Sequence, residues 1–336
     1  MESLFGSDRL PDRNLALEFC RGTEAAAMAA GRMMGRGDKN AADGAAVNAM
    51  RFMLNTVDMD GVVVIGEGEK DEAPMLYNGE HLGTGKSVEV DIAVDPIDGT
   101  RLTAMGLSGA ISVVAGAPRG TMFNPKTVFY MNKLVVGPLA RDVIDIEAPV
   151  AENIRRVAHA LNKPVGDVTV VVLDRPRHEK LIAEIRAAGS RIKMIPDGDI
   201  AGALLTCKLD RGADMLMGIG GTPEAVITAC AIKAMGGSMQ GKLWTRSEEE
   251  RQKALDAGVD LEKVLTIDDL VSSDDVFFAA TGVTDGDFIK GVRYEGDRIY
   301  TSSMVMRAKS GTVRYVDAVH SLKKLEVVSG INYSSK

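Results

Sequence analysis

Two acidic clusters each follow an apolar run with the length and composition of a buried strand. Gly66-Glu67-Gly68-Glu69 comes after residues 62–65, and Asp95-Pro96-Ile97-Asp98-Gly99-Thr100 comes after residues 92–94. Short apolar runs rich in β-branched residues are typical of buried strands. Carboxylates that are close together in a site partly shielded from water raise one another's pKa and lose hydration. A cation that neutralises them removes this cost. The clusters therefore predict a divalent metal site where two buried strands end.

Apolar periodicity along the rest of the chain predicts alternating helices and strands, which indicates a layered α/β protein. Helices are predicted over about residues 11–34, 43–54, 152–161, 178–188, 199–205 and 223–235. Strands are predicted over residues 61–65, 88–94, 111–115, 128–136, 168–173, 191–195 and 276–280, with one more ending at Met217 and a last hairpin of residues 299–306 and 312–319. A seam near residues 145–151 divides the chain into two closely packed halves.

Composition excludes several classes of partner. The 336 residues carry a net charge of −7 and 4% aromatic residues, without a run of Lys or Arg, so no nucleic acid partner is expected. The sequence lacks both the roughly 18 consecutive apolar residues of a membrane helix and the apolar centre of a signal peptide. We therefore expect a cytoplasmic protein with no membrane partner, and three reduced, buried cysteines: Cys20, Cys207 and Cys230.

The segment from Asp95 to Thr100 has the residue types that a hydrolytic metal site needs. Its two carboxylates are three residues apart across a proline turn, so both can face one point. Such a turn can hold a hard cation through oxygen ligands and leave the hydroxyl of Thr100 facing a bound water. From spacing alone, an ordinary strand-ending turn rich in Asp and Gly is an equal alternative.

Three further segments could contact an anionic ligand or could be ordinary turns and caps. Arg175-Pro176-Arg177 follows a predicted strand, and two guanidiniums there can bind phosphate oxygens in pairs, although a solvated basic turn has the same composition. Thr222-Pro223-Glu224 predicts a helix start with Thr222 as N-cap and free amides that favour an anion. Asp197-Gly198-Asp199, taken alone, is more often a turn and helix cap than a binding site.

Together these segments resemble a known family. An Asp-Pro-Ile-Asp-Gly-Thr loop preceded by a strand-end Glu is similar to the loop of the lithium-sensitive, metal-dependent sugar and inositol phosphatase superfamily. From about Pro11 to about His320 the chain is similar to class II bacterial fructose-1,6-bisphosphatase. The motifs that carry this resemblance are Gly35-Arg36-Gly37-Asp38-Lys39-Asn40, Asp43-Gly44-Ala45-Ala46-Val47, Val64-Ile65-Gly66-Glu67-Gly68-Glu69, Ala73-Pro74-Met75-Leu76-Tyr77, Arg175-Pro176-Arg177-His178, Pro196-Asp197-Gly198-Asp199 and Gly218-Ile219-Gly220-Gly221-Thr222-Pro223-Glu224.

The resemblance implies a role for each matching residue. It implies ligands for two or more divalent cations, Mn²⁺ or Mg²⁺: Asp43 and Glu67 for one, and Asp95, Asp98 and Glu224 for another, with Glu69 in a supporting position. It implies three catalytic residues: Thr100, which would orient and help deprotonate the attacking water, Lys39, which would contact the scissile phosphate or its ligands, and Asp95. It implies residues that bind the second phosphate, the sugar hydroxyls and the rest of the substrate: Asp98, Gly99, Thr100, Tyr130, Arg175, Pro176, Arg177, Asp197, Gly198, Asp199 and Gly221. Many family members carry Glu at the position of Asp98, so one ligand arm here is shorter by a methylene group.

The same resemblance implies the fold and the activity. The fold would be α/β, a layered α-β-α-β-α sandwich of the sugar phosphatase type with two closely packed halves. A flexible segment, residues 1–10, would precede a metal-binding α+β half, residues 11–148, and an α/β substrate-binding half, residues 149–330, which contributes one metal ligand. The enzyme would hydrolyse the 1-phosphate of fructose 1,6-bisphosphate in gluconeogenesis, as a homodimer or homotetramer.

Several alternatives stay open at this point. The chain could act on sedoheptulose 1,7-bisphosphate, alone or in addition, or could be an inositol monophosphatase, which has no use for paired arginines. It could also be a non-catalytic regulator that binds a metal or a sugar phosphate. A dinucleotide site is disfavoured, because Pro223 occupies the place of the third fingerprint glycine after Gly218 and Gly220.

Overall fold

The structure, a computed structural model, describes residues 14–68, 75–124, 128–208 and 212–334. Within these residues the chain forms fourteen strands and ten α-helices, numbered here in chain order. The expected flexible segment, residues 1–10, the start of the first predicted helix and Glu69 lie outside the described residues.

The strands form two mixed sheets. Their bounds are β1 (Met59–Ile65), β2 (His81–Leu82), β3 (Val88–Asp98), β4 (Ile111–Pro118), β5 (Tyr130–Val136), β6 (Thr169–Leu173), β7 (Arg191–Ile195), β8 (Met215–Gly221), β9 (Ser238–Trp244), β10 (Leu265–Thr266), β11 (Phe277–Gly282), β12 (Arg293–Glu295), β13 (Arg298–Arg307) and β14 (Thr312–Ser321). The eight-stranded sheet has the order β12-β13-β11-β4-β3-β1-β2, with β14 beside β13, and the six-stranded sheet has the order β10-β9-β5-β8-β6-β7. The pairs β1–β3, β6–β7 and β6–β8 are parallel.

The sheets do not follow the order of the chain. β5 already belongs to the six-stranded sheet, and β11 to β14 return to the eight-stranded sheet after β10. The division of the chain at residue 148 therefore stays a prediction, and strands from both sides of it contribute to each sheet.

The helices form three layers around the two sheets. Their bounds are α1 (Leu15–Gly31), α2 (Lys39–Leu54), α3 (Thr100–Met105), α4 (Val150–Ala160), α5 (Glu179–Ala187), α6 (Asp199–Leu204), α7 (Thr222–Ala234), α8 (Glu248–Asp256), α9 (Ile267–Leu270) and α10 (Leu322–Ser329). α1 and α2 cover the outer face of the eight-stranded sheet, α6 and α7 lie between the sheets, and α4 and α5 cover the far face of the six-stranded sheet. This order confirms the predicted α-β-α-β-α sandwich.

The central strands are largely apolar because both of their faces are buried. Val113 and Ala115 of β4 face the middle layer, whereas Val114 faces α1 and α2. In β5, Val135 faces the middle layer and Leu134 faces the far layer. α7 is apolar on all sides, as expected for a helix enclosed between two sheets.

Most of the predicted elements are confirmed within a few residues, and three differences bear on the site. α2 begins at Lys39 rather than Asp43, because the side chain of Asp38 caps it. β3 continues to Asp98 instead of turning after residue 94, and β8 continues to Gly221. The prediction missed the shortest or most polar elements: β2, β9, β10, β12, α3, α8, α9 and α10.

Two of the broader expectations can be compared with the structure. None of the described helices is long and apolar enough to cross a membrane. Cys20 and Cys230 are buried free thiols as predicted, whereas Cys207 is only half-buried. Burial raises the pKa of each thiol to about 12.

The contact between α1 and β4 gives a test of the packing. A Cβ on Gly116 would come 2.6 Å from the ring of Phe19, which itself packs edge-on against Phe277. Gly116→Ala is expected to lower the free energy of unfolding by about 1–3 kcal/mol through overpacking. Gly44→Ala, at an exposed helical position with open space around it, is the control and should raise it by up to about 1 kcal/mol. Urea denaturation measures both changes, and a Gly116→Ala variant as stable as the parent would contradict this packing.

Candidate active site

The predicted site residues meet in one cleft of about 780 Å³, where β1, β3 and β8 end and α2 and α7 begin. Those that line it are Lys39, Asp43, Glu67, Asp95, Asp98, Gly99, Thr100, Tyr130, Arg175, Arg177, Asp197, Gly198, Asp199, Gly221 and Glu224. Pro176 does not line it; this residue is exposed and begins the 3₁₀ turn Pro176–His178.

A bulge at the end of β3 presents Asp95 and Asp98. Asp95 lies opposite Val113 of β4 and Asp98 lies opposite Ile111, so three steps along β3 match two along β4. Pro96 lies inside the bulge, where its missing N–H costs no ladder hydrogen bond. The expected free turn is therefore an irregular strand end, which is held by its neighbour β4.

Gly99 and Thr100 carry the chain from β3 into α3. Gly99 has φ 92° and ψ 46°, a left-handed conformation that favours glycine. The Thr100 hydroxyl donates a hydrogen bond to the carbonyl of Ile97 at 3.1 Å. This bond fixes the position of the hydroxyl at the wall of the cleft.

Glu67 and Asp43 form a pair beside the end of β3. β1 and β3 are parallel neighbours, so Glu67, two residues beyond β1, lies at the same edge as Asp95. The Glu67 backbone N–H donates to the carbonyl of Leu76 at 2.9 Å, which closes its loop. The carboxyl groups of Glu67 and Asp43 lie close enough to affect each other's pKa.

Glu224 reaches the cluster from the start of α7. The N-cap of α7 is Gly221, so the prediction that Thr222 is the N-cap is wrong. The Thr222 N–H donates to the carbonyl of Phe129 at 2.8 Å, which draws the residue toward the neighbouring strand and buries its side chain. The Oε2 atom of Glu224 is buried and has no hydrogen-bond partner within the described residues.

Burial is the largest cause that raises the pKa of each of five carboxyl groups: Asp43, Glu67, Asp95, Asp98 and Glu224. Repulsion from neighbouring carboxylates adds to burial for all of them except Asp43. For Glu67 the pKa is raised to about 7, with Asp43 and Glu224 as the charged neighbours. Asp95 is affected electrostatically by all four of the others. In the metal-free chain these shifts favour the protonated carboxyl groups, and a bound cation would favour the ionised ones.

This donor set fits a hard divalent cation. The five side chains offer only oxygen ligands, which Mg²⁺ and Mn²⁺ prefer, and the partnerless Oε2 of Glu224 is a ready ligand atom. In the described parts of the chain, no three Asp, Glu, His or Cys side chains already stand at metal-site spacing.

The opposite end of the cleft is basic. Arg175 Nη2 donates to Asp197 Oδ1 at 3.2 Å. Arg177 donates through Nε and Nη2 to the carbonyl of Ile219, at 3.1 and 2.8 Å. The Arg177 guanidinium also lies over the ring of Tyr130, 5.3 Å from its centroid. The structure therefore brings both predicted arginines and the predicted tyrosine to one place.

Asp197 and Asp199 lie between the acidic and basic ends. Asp197 contacts Arg175, whereas Asp199 acts electrostatically on Asp98 and Glu224. Asp199 is buried and forms an ion pair of 2.6 Å with Lys133 of β5. Lys133 thereby places a positive charge directly against one carboxylate of the cleft.

Sequence reasoning missed some residues at the site. Lys133 has a signal in the sequence, since it is a charged residue inside the predicted apolar strand of residues 128–136. Arg246 lies 5.4 Å from the Tyr130 ring centroid and lines the cleft, but it follows β9, which was not predicted. Asn40 and Arg101 also line the cleft, each beside a residue that the resemblance had selected.

Comparisons with known proteins agree with this geometry. Residues 13–320 match the family described as bacterial fructose-1,6-bisphosphatase, glpX-encoded. Fructose-1,6-bisphosphatase 1 class 2 of Escherichia coli strain K12 is 48% identical over 325 residues, which cover 93% of this chain and 96% of that protein. The class 2 fructose-1,6-bisphosphatases of Escherichia coli O6:H1 and Shigella flexneri match at the same identity and coverage. Enzymes of this family generally require a divalent metal ion. The chain therefore belongs to the bacterial class 2 fructose-1,6-bisphosphatase family.

Proposed function

We propose that this enzyme hydrolyses the 1-phosphate of fructose 1,6-bisphosphate to fructose 6-phosphate and inorganic phosphate. The observation that carries the proposal is the cleft with two unlike ends, five carboxylates at one and Arg175 and Arg177 at the other. A substrate with a phosphate at each end of a sugar matches such a cleft. The relatives named above carry the same activity in their names.

The acidic end would hold Mn²⁺ or Mg²⁺. Asp43 and Glu67 would bind one cation, and Asp95, Asp98 and Glu224 another. When bound, such cations neutralise phosphoryl oxygens and lower the pKa of an attacking water. Phosphate monoesters hydrolyse so slowly that an enzyme must lower the barrier by up to roughly 20 kcal/mol or more. The five carboxylates therefore serve to concentrate positive charge at the scissile phosphate.

The residues around the cations would position the reacting groups. The Thr100 hydroxyl, held by the carbonyl of Ile97, would orient the attacking water and help to remove its proton. Asp95 is central to the cluster, since it interacts with all four other carboxylates. Lys39, exposed at the first turn of α2, would contact the oxygens of the scissile phosphate.

The basic end would bind the phosphate that does not react. Guanidinium groups present paired donors that match phosphate oxygens. Arg175 and Arg177 would make these contacts beside Tyr130, while Asp197 and Asp199 would accept hydrogen bonds from the sugar hydroxyls. The reaction belongs to gluconeogenesis, and we infer a cytoplasmic homodimer or homotetramer.

An assay of phosphate release tests the function. Asp95→Asn is expected to lower kcat on fructose 1,6-bisphosphate by roughly 10³-fold or more with saturating Mn²⁺, because a central ligand of the cations is lost. Glu249→Gln, on the exposed face of α8, is the control and should keep the parent rate. Full turnover by Asp95→Asn would contradict the assigned role. If the parent enzyme released phosphate faster from sedoheptulose 1,7-bisphosphate, that sugar would be its preferred substrate. Release of phosphate from neither sugar would favour a non-catalytic binder.

Thermal melting at different pH values tests the cation site. The pKa of Glu67 is raised from 4.5 to about 7 in the metal-free chain, so its contribution to stability is present at low pH and is lost as the pH rises through about 7. With a chelator, Glu67→Gln is therefore expected to become the more stable protein between about pH 5 and about pH 8. Adding Mn²⁺ should raise the melting temperature of the parent more than that of Glu67→Gln. Equal Mn²⁺ shifts in the two proteins would contradict this ligand.

The arginine pair is tested by comparing two substrates. Arg175→Met and Arg177→Met are each expected to raise KM for fructose 1,6-bisphosphate by about tenfold or more, since each removes charge-assisted hydrogen bonds to the second phosphate. The value of kcat/KM for p-nitrophenyl phosphate, which has no second phosphate, should not change. Arg251→Met on exposed α8 is the matched control. A similar loss on both substrates would place the arginines at the reacting phosphate instead.

A further inference from the structure

His178 joins two strands at the edge of the cleft. It ends the 3₁₀ turn that carries the arginines, and it is buried, with 1% exposure. Its Nδ1 lies 2.7 Å from the carbonyl oxygen of Leu173, the last residue of β6. Its Nε2 lies 2.7 Å from the backbone nitrogen of Ile219 in β8.

These contacts determine where the ring proton lies. A backbone amide can only donate, so Nε2 accepts from Ile219, and Nδ1 carries the proton and donates to Leu173. A charged ring would place an N–H group against the Ile219 amide. Burial also lowers the pKa of His178. The ring is therefore neutral and fully used within the protein, which excludes a role in transferring protons to substrate.

The His178 ring lies between β6 and β8 at a point where these two strands do not pair with each other. β6 pairs with β8 at Val170 and Val171, further from the cleft. At Leu173 the His178 side chain takes over and bridges to β8. A Cβ on Gly218 would lie 2.9 Å from His178 Nε2, so the ring and the strand fit closely only where this residue is glycine.

Ile219 is also the residue that holds Arg177. The N–H and carbonyl of one strand residue point to the same edge, and at this edge the N–H is bound by His178 and the carbonyl by Arg177. The Nε–H group and one N–H of Nη2 thus donate to the protein. The second N–H of Nη2 and both N–H groups of Nη1 can donate to ligand oxygens.

We propose that His178 is a positioning residue for Arg177: it holds Ile219 so that the Ile219 carbonyl fixes the guanidinium that binds the non-reacting phosphate. This inference rests on the proposed function. A guanidinium fixed in advance loses less conformational freedom on binding. Loss of the histidine therefore weakens substrate binding and leaves the chemical step intact.

Two substitutions separate the contacts of the ring. His178→Asn keeps a donor for Leu173 and removes the acceptor for Ile219, whereas His178→Gln places an amide oxygen near the position of Nε2. His178→Asn is expected to raise KM for fructose 1,6-bisphosphate and Kd for fructose 6-phosphate by about tenfold, with kcat within about twofold of the parent. His178→Gln should recover part of the affinity. His159→Asn, on the exposed side of α4, is the control.

A double-mutant cycle with Arg177→Met distinguishes positioning from a general structural role. Calorimetric titration with fructose 6-phosphate should show no further loss when His178→Asn is added to Arg177→Met. Losses that multiply, or a His178→Asn protein with a lower melting temperature and unchanged Kd, would overturn the proposal. A parent enzyme that binds fructose 6-phosphate but releases no phosphate would contradict the proposed function while the cycle still tests His178. A parent enzyme that does not bind fructose 6-phosphate would overturn both.

Discussion

The mutual repulsion of five carboxylates in one cleft is the constraint on which the rest of the structure depends. They come from α2, from the ends of β1 and β3, and from α7, so no single element could hold them together. The scaffold must supply enough packing to keep these acidic groups close in the absence of a cation. α7, enclosed between the two sheets, does so with an apolar surface on all sides and a carboxylate at its first turn. A cation that binds only the folded cluster then stabilises the same arrangement that it needs.

The cleft solves a second electrostatic problem, that of an acidic protein with an anionic substrate. The chain has a net charge of −7, and only local charge can attract a bisphosphate. Cations would reverse the field at the acidic end, while Arg175 and Arg177 do so at the other end. Between them, Lys133 neutralises Asp199 through a buried ion pair. Positive charge along the cleft would therefore come from the metal ions at the acidic end, from Lys133 in the middle and from the two arginines at the basic end.

The sequence predicted best those parts of the fold that depend on local pattern. The layered α/β class and the strands that lead to Glu67 and Asp95 follow from β-branched apolar runs, whose burial on both faces leaves little choice of structure. The α-β-α-β-α order of the layers came from the family resemblance. The bulge at Asp98 was not predicted, because it depends on the register against β4. β9 was missed because its half-buried polar residues form a strand only between β5 and β10, and Arg246 was missed with it. That site residues from the two sheets lie close together was predicted from the resemblance, because spacing along the chain does not indicate it.

The end of β8 connects the two halves of the site. Ile219 holds the guanidinium at the basic end through its carbonyl. A Cβ on Gly220 would come 2.0 Å from Asp199 Oδ2, and one on Gly221 would come 1.7 Å from Glu224 Oε2. These carboxylates can occupy their places only because the strand has no side chains there. The glycines of this segment, which resembled part of a dinucleotide motif, thus have a different role. They leave the strand backbone exposed as the wall against which the acidic and basic groups pack.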